Sequence, residues 1–520
     1  MLLATSLRPG LIDHRALRVM ARIGLGLVLF VLFTVALTLV FALPLGRHPG
    51  HVFNSDLIQP FLVVADALAD PTSLFDWRHA PSPYVVPDML LAALCVLLPI
   101  AELMKPVVYC GALLALDCLA VGWLLWVAGR TRTVLAGALA TTLALMALYG
   151  LAMLLPIEIS FNMLVSMPAP FIHSGAILMG IAFVAAMVAY LRAPERRNLM
   201  PAMLICAAGG YSDVLFTIWF VGPTVAALIL LGRRTEAKTT DLLVVTAIAV
   251  IAMVIDRVLR PSIAIIKINY AATVETWIGS FFHAIEIGDW PFPTMVLMAV
   301  LMAGRAVYLL LARRRVLSAW NIVEICLGGA QLSATLLPVV SGTLIHIESL
   351  RYALAGFLLP IVWGLGWACR PAIPARWAIG LPAAVAVVVA IAVAPAGLDA
   401  ANRAGTGKPL LACLEANGLT TGLSDYWNAK LGMFQSNYRL HLMQLNETTA
   451  LPWAPNFNIR WFSRRATGNT PASPDFIVLT GLPEAAVRDL YGAPQSTLEC
   501  GGETVWRYDH TLALPPIEGL

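Results

Sequence analysis

The chain has 520 residues, of which 59% are hydrophobic and only 12% charged, for a net charge of +4, and its mean hydropathy is +0.80. A soluble domain carries about 25% charged residues, so this composition excludes a wholly soluble protein. It implies a polytopic α-helical membrane protein with some part outside the bilayer; a basic face for nucleic acid is missing, and none is expected as a partner.

The first apolar stretch, "IGLGLVLFVLFTVALTLVFALPLG" (23–46), is long enough to span and lacks a small-residue cleavage site, so it reads as a signal anchor. After it the chain presents Asp56, Asp66, Asp70, Asp76 and Asp88 with prolines and aromatics between them. "DMLLAALCVLLPIAELMK" (88–105) tempts a span, but its apolar core is short for crossing. It reads as a helix at the membrane surface, or one entering partway. About eleven spans follow from the whole pattern: 21–43, 106–128, 133–155, 172–191, 198–211, 214–231, 240–258, 292–311, 320–341, 352–369 and 377–396.

The clusters "GRTR" (129–132), "RAPERR" (192–197), "GRRTEAK" (232–238), "RRR" (313–315) and "RPAIPAR" (370–376), with Arg8, Arg15, Arg18 and Arg22, alternate consistently if all are cytoplasmic. The N-terminus is then cytoplasmic, and the loop 44–105 and everything after 397 face outward. The style of composition suggests a bacterial inner membrane with a periplasmic C-terminus. Residues 1–397 are the expected transmembrane module and 398–520 a small α+β domain. In that domain "KPLLACLEANG" and "PEAAVRDLYG" read as helices, and "YRLHLMQL", "FNIRWF", "DFIVLTGL" and "TLECGGETVWRYD" as strands. Cys413 and Cys500 are the two cysteines of this polar tail; they can pair in an oxidising space.

The candidate chemistry lies on the outward side. Asp56 sits about a dozen residues past the first span. It can act as a general base on an acceptor hydroxyl, hold a divalent metal, or be an ordinary loop aspartate. Asp213, in "GGYSDVLF" (209–216), falls near the outer surface as a second carboxylate, for a metal or a sugar hydroxyl, or as a helix N-cap. Arg257, Arg260, Lys267 and Arg351 run against the prevailing charge bias. They can hold a phosphate or simply snorkel. His346 and Glu348 share a loop with Arg351; Tyr84 and Asp88 lie in the Pro-rich first loop; His173, Glu158 and Asn162 flank another outward loop. Asp117 lies in mid-span. In the tail, "GLSDYWNAK" (422–430) and "LPWAPNFNIRWF" (451–462) bring Tyr426, Trp427, Trp453, Asn456, Asn458 and Trp461. Such an aromatic and amide set suits a sugar, or the core of a small domain.

An outward loop with an early acidic residue ("NSD", 54–56), a Pro-rich entry to a surface helix ("PSPYVVPDMLLAAL", 81–94) and an Arg-Tyr span entry ("ESLRYALAGFLLP", 348–360) resembles the GT-C superfamily of polyprenyl-phosphate-sugar-dependent glycosyltransferases, such as protein O-mannosyltransferases and aminoarabinose transferases. The resemblance covers the topology of roughly residues 1–400. It implies inverting transfer of a sugar from a polyprenyl-phosphate donor to an envelope lipid, glycan or protein, with Asp56 and Asp213 catalytic. Arg351, aided by Arg257 and Lys267, would hold the donor phosphate. Asp88, Tyr84, His346, Glu348, Tyr426 and Trp427 would line the cleft or bind the acceptor, and Mg or Mn is the metal that Asp56 and Asp213 would hold, if any. The rival readings are a transporter or flippase for a lipid-linked or anionic solute, which depends on Asp117, and a membrane scaffold.

Overall fold

The computed structural model describes residues 30–39, 55–78, 82–154, 167–169, 173–232, 238–259, 268–312, 317–343, 347–369, 409–466 and 470–519, with Val28, Phe41, Thr235 and Pro395. The expected span at 377–396 and most of the flanks of the first one lie outside the described residues, as do Glu158, Asn162 and Arg260.

The helices in chain order are α1 (Phe30–Leu39), α2 (Ser55–Ala69), α3 (Leu90–Val96), α4 (Lys105–Val127), α5 (Val134–Leu154), α6 (Ser174–Arg192) and α7 (Arg196–Ser212). Then come α8 (Val214–Leu231), α9 (Thr239–Leu259), α10 (Tyr270–Glu286), α11 (Pro291–Leu311), α12 (Ala319–Val340) and α13 (Ala355–Ala368). Among the described residues, seven helices are long and apolar enough to cross a membrane, so the protein is polytopic. The 23 residues of α4 extend about 34 Å, enough for a hydrocarbon core of about 30 Å. The seven residues of α3 reach only about 10 Å and cannot cross. α3 instead packs between α2 and α4. The segment read as a span at 198–211 is α7, which carries Arg196, Arg197 and Asn198 in its first turn and Pro201 inside it; it is not one of the seven.

Close backbone approach holds the bundle together. A Cβ on Gly137 would stand 2.7 Å from the Gly122 Cα, so α4 and α5 cross with their backbones in contact. Small residues permit this where lipid supplies no hydrophobic drive between helices. The pairs α4–α6, α6–α7, α7–α9, α11–α12 and α12–α13 continue the packing.

The C-terminal domain holds α14 (Pro409–Ala416), β1 (Thr421–Asp425), α15 (Tyr426–Gln435), β2 (His441–Leu445), β3 (Phe476–Val478), α16 (Glu484–Tyr491), β4 (Ser496–Cys500) and β5 (Glu503–Arg507). Its sheet has the order β2-β1-β3-β5-β4. β1 pairs in parallel with both β2 and β3, and β5 runs antiparallel to β3 and β4. "FNIRWF" is not a strand. Asn458 accepts from the Arg460 amide at 2.9 Å and starts the 3-10 turn Ile459–Phe462, which buries Trp461 and Phe462. A disulfide joins Cys413 of α14 to Cys500 of β4.

The domain is seated on the first loop. The Ser55 hydroxyl lies 2.7 and 2.8 Å from the carbonyls of Tyr426 and Trp427, and the Phe61 and Phe434 rings pack at 5.8 Å. Further out, the Arg78 amide donates to the Phe457 carbonyl and the Ile459 amide to the Asp76 carbonyl, both at 2.9 Å. Arg460 reaches Asp70 at 2.6 Å and Asp76 at 2.8 Å. Beneath this exposed pair, buried Asp66 accepts from Trp77 Nε1 at 3.0 Å and Asn458 Nδ2 at 2.7 Å.

Candidate functional site

A cavity of about 290 Å³ opens where the first loop, the ends of several helices and the C-terminal domain meet. Asp56, Gln59, Tyr84, His173, Arg257, Arg351, Tyr352 and Asn456 are among its polar lining residues, and Val214, Leu215, Ile218, Leu337 and Pro338 are the apolar ones.

Asp56 lies in the first turn of α2, where the unpaired amides of a helix N-terminus favour a carboxylate. Its Oδ1 accepts a hydrogen bond from the Tyr426 hydroxyl, and its Oδ2 stands 3.8 Å from Arg351 Nη1. Tyr426 is the first residue of α15. Asp425 caps that helix through the amides of Trp427 and Asn428, which fixes where Tyr426 points. Asn456 Nδ2 donates to the same tyrosine hydroxyl at 3.2 Å. Burial, then the Asp56 charge, holds the Tyr426 hydroxyl well above the usual range for a phenol. It therefore acts as a hydrogen-bond donor and not as an anion.

On the other side, His173 Nδ1 pairs with Asp213 Oδ2 at 2.7 Å, and the Tyr84 hydroxyl lies 3.4 Å from the His173 ring nitrogens. Tyr84 and His173 both hold left-handed backbone, with φ of 52° and 64°. Such geometry is uncommon for residues with a side chain and clusters at functional sites. The Tyr84 amide donates to the Ser212 carbonyl at 3.0 Å, and the Ser212 hydroxyl accepts from the Val86 amide at 2.9 Å, which ties the first loop to the α7–α8 break.

The structure brings together Asp56, Tyr84, Arg257, Arg351 and Tyr426, and leaves Asp213, Asp88 and Trp427 outside the cavity lining. Asp213 does not line the cavity. Its backbone is extended, its Oδ1 caps α8 by accepting from the Leu215 amide at 3.0 Å, and Ser82 donates to that same oxygen at 3.3 Å. With Oδ2 on His173, both its oxygens are engaged, so the expected sharing of a metal with Asp56 is not formed. Among the described residues no group of three or more His, Cys, Asp or Glu could hold a metal ion. Asp88 is buried away from the cavity, where it accepts from the Tyr109 hydroxyl at 2.8 Å. Trp427 is 46% exposed and stands outside the lining, edge-on to Tyr426 at 5.0 Å. Lys267, His346 and the side chain of Glu348 lie outside the described residues.

Sequence reasoning missed Gln59 and Tyr352, which line the cavity. Gln59 was readable, since it lies one turn after Asp56 on the same helix face. Tyr352, adjacent to Arg351, packs on His173 at 5.4 Å.

No protein-family model, curated protein or solved structure matches the chain.

Proposed function

We propose that this protein is a membrane glycosyltransferase that moves a sugar from a polyprenyl-phosphate donor to a hydroxyl of an envelope glycan, lipid or protein. The observation that carries the reading is the meeting of Asp56 and Arg351 at 3.8 Å in a cavity lined by both polar and apolar side chains. The apolar lining suits the prenyl chain, and the cations suit its phosphate. In the transfer, Asp56 takes the proton of the acceptor hydroxyl as that oxygen forms its bond to the anomeric carbon. The bond from that carbon to the phosphate oxygen breaks, and the electron pair leaves with the phosphate. Arg351, with Arg257 at the cavity edge, stabilises the charge that develops there. Attack from the face opposite the phosphate inverts the anomeric centre. Asp213 braces His173 of the cavity lining from behind.

In this reading the chain crosses a bacterial inner membrane about eleven times, with the N-terminus in the cytoplasm and the C-terminal domain in the periplasm. The exposed Leu90 and Leu94 of α3, with Leu97 just after it, rest in the lipid surface. The test is Asp56→Asn at matched abundance, compared with the deletion by mass spectrometry of envelope glycans and glycolipids. The same sugar-sized mass is expected to disappear in both strains; an unchanged profile in Asp56→Asn overturns the reading.

One observation favours a carrier for a lipid-linked or anionic solute. Asp117 is buried midway along α4, and its Oδ1 has no hydrogen-bond partner among the described residues; an ionisable residue at such depth commonly serves transport. Loss of solute movement in Asp117→Asn with Asp56 dispensable would establish that alternative.

A further inference from the structure

Lys430 of α15 is 0% exposed. A lysine buried this fully is normally paired with a carboxylate, yet among the described residues none lies within ion-pair distance of it. Its Nζ stands 3.2 Å from the Asn456 carbonyl oxygen, 3.4 Å from Gln59 Oε1 and 4.0 Å from the centroid of the Tyr426 ring. Gln59 and Asn456 line the cavity, and Tyr426 is the residue that donates to Asp56.

We propose that Lys430 is a positioning residue of this site: its ammonium holds the Tyr426 ring and lends its field to Asp56, so that a cation of the C-terminal domain fixes the base of the transmembrane module. The inference rests on the reading of Asp56 as the base. The contact on the ring is a cation–π interaction, strongest where water is excluded. The other ionisable groups on the elements packed against α15 are engaged elsewhere. Asp425 caps the helix, Glu102 pairs with Lys105, Asp66 of α2 accepts from Trp77 and Asn458, and His441 of β2 bonds the Trp461 carbonyl. The ammonium itself touches the Tyr426 ring, Gln59 and the Asn456 carbonyl, and Asp56 is the carboxylate whose charge acts on it. Burial lowers the Lys430 amine from its usual 10.5 to about 7, and Asp56 opposes that fall. Below that value the cation is present; as pH rises through it, Asp56 loses its support.

The sequence contains five lysines, so 13C-lysine NMR of the full chain in micelles resolves this one, assigned by its disappearance in Lys430→Arg. Lys430 is expected to titrate near neutrality. In Asp56→Asn its midpoint should move down by roughly one unit, because the opposing charge is gone. A midpoint that Asp56→Asn leaves in place overturns the coupling. In membranes at matched abundance, Lys430→Met should lose transfer at least tenfold at pH 6.5. Lys430→Arg should retain it and carry activity to higher pH than the native chain. Native transfer and an unchanged pH profile in Lys430→Met overturn the inference even where Asp56→Asn is inactive. Unchanged envelope glycans in Asp56→Asn together with a shifted Lys430 midpoint overturn the transferase reading and support the coupling.

Discussion

At the scale of single residues, the two oxygens of Asp56 have different neighbours. One accepts from Tyr426 and the other faces Arg351. A base held from both sides keeps its orientation when substrate arrives, and orientation is a large share of what an enzyme site contributes. Removing the phenol oxygen tests this without disturbing packing. Tyr426→Phe keeps the ring, and with it the contacts to Trp427 and Trp453, while deleting one hydrogen bond to a carboxylate. Such a bond is worth about 1.5–3 kcal/mol. The transfer rate should therefore fall about tenfold or more, with protein abundance unchanged, measured on the donor and acceptor named by the mass lost in Asp56→Asn. A native rate would show that the Tyr426 bond is dispensable. Asp56 was visible in the sequence as an early acidic residue of the first outward loop, and Arg351 as a cation against the charge bias at a span end. Lys430 was not, because a lysine in the polar tail looks solvated until the fold buries it against Tyr426.

At the scale of elements, the seat between the first loop and the C-terminal domain holds an unusual carboxyl. Burial pushes Asp66 up from 3.8 to about 7 against the opposing hydrogen bonds of Asn458 and Trp77. Between those values the folded protein holds a proton that the unfolded chain has released, so stability falls as pH rises through that window. The contribution is on the order of 4 kcal/mol at most. Both donors point at Oδ2, so an amide oxygen can replace it and Asp66→Asn removes only the charge. That variant should melt higher than the native chain at pH 8 and alike at pH 5, as read from the fluorescence of Trp77 and Trp461, whose rings lie 5.1 Å apart. Equal melting at both pH values would show that Asp66 does not titrate in this window. The same region shows why some elements escaped the sequence. β1 is "TGLSD", with glycine, serine and aspartate where strands usually carry branched or aromatic residues. Its place is set by neighbours: a Cβ on Gly422 would collide with the Phe476 ring of β3 at 2.5 Å. Tertiary packing overrides propensity there, whereas the period and length of α4, α6 and α12 made them legible from hydropathy alone.

At the scale of the whole molecule, the site belongs to neither module by itself. α2, α9 and the Arg351 turn supply Asp56, Arg257 and Arg351, while the C-terminal domain supplies Tyr426 and Asn456. Sequence separates these groups by up to 400 residues, and nothing along the chain fixes their convergence; the burial of Asp88 against Tyr109, outside the cavity lining, likewise depends on how α3 packs on α4. Anything that loosens the domain should then act on the chemistry at a distance. The Cys413–Cys500 bond closes a loop with a sequence separation of 87, and it ties α14, the entry to the domain, to the edge strand β4. Losing a native disulfide costs about 2–5 kcal/mol in small extracellular domains. Cys413→Ser combined with Cys500→Ser should lower the melting temperature of the domain by several degrees at about that cost, and should expose it to proteolysis while the transmembrane helices stay resistant. Transfer should fall in step with the fraction of domain that is nicked. If transfer instead persists after the domain has been cleaved away, Tyr426 and Lys430 are not part of the machinery, and the transmembrane module holds Asp56 in place by itself.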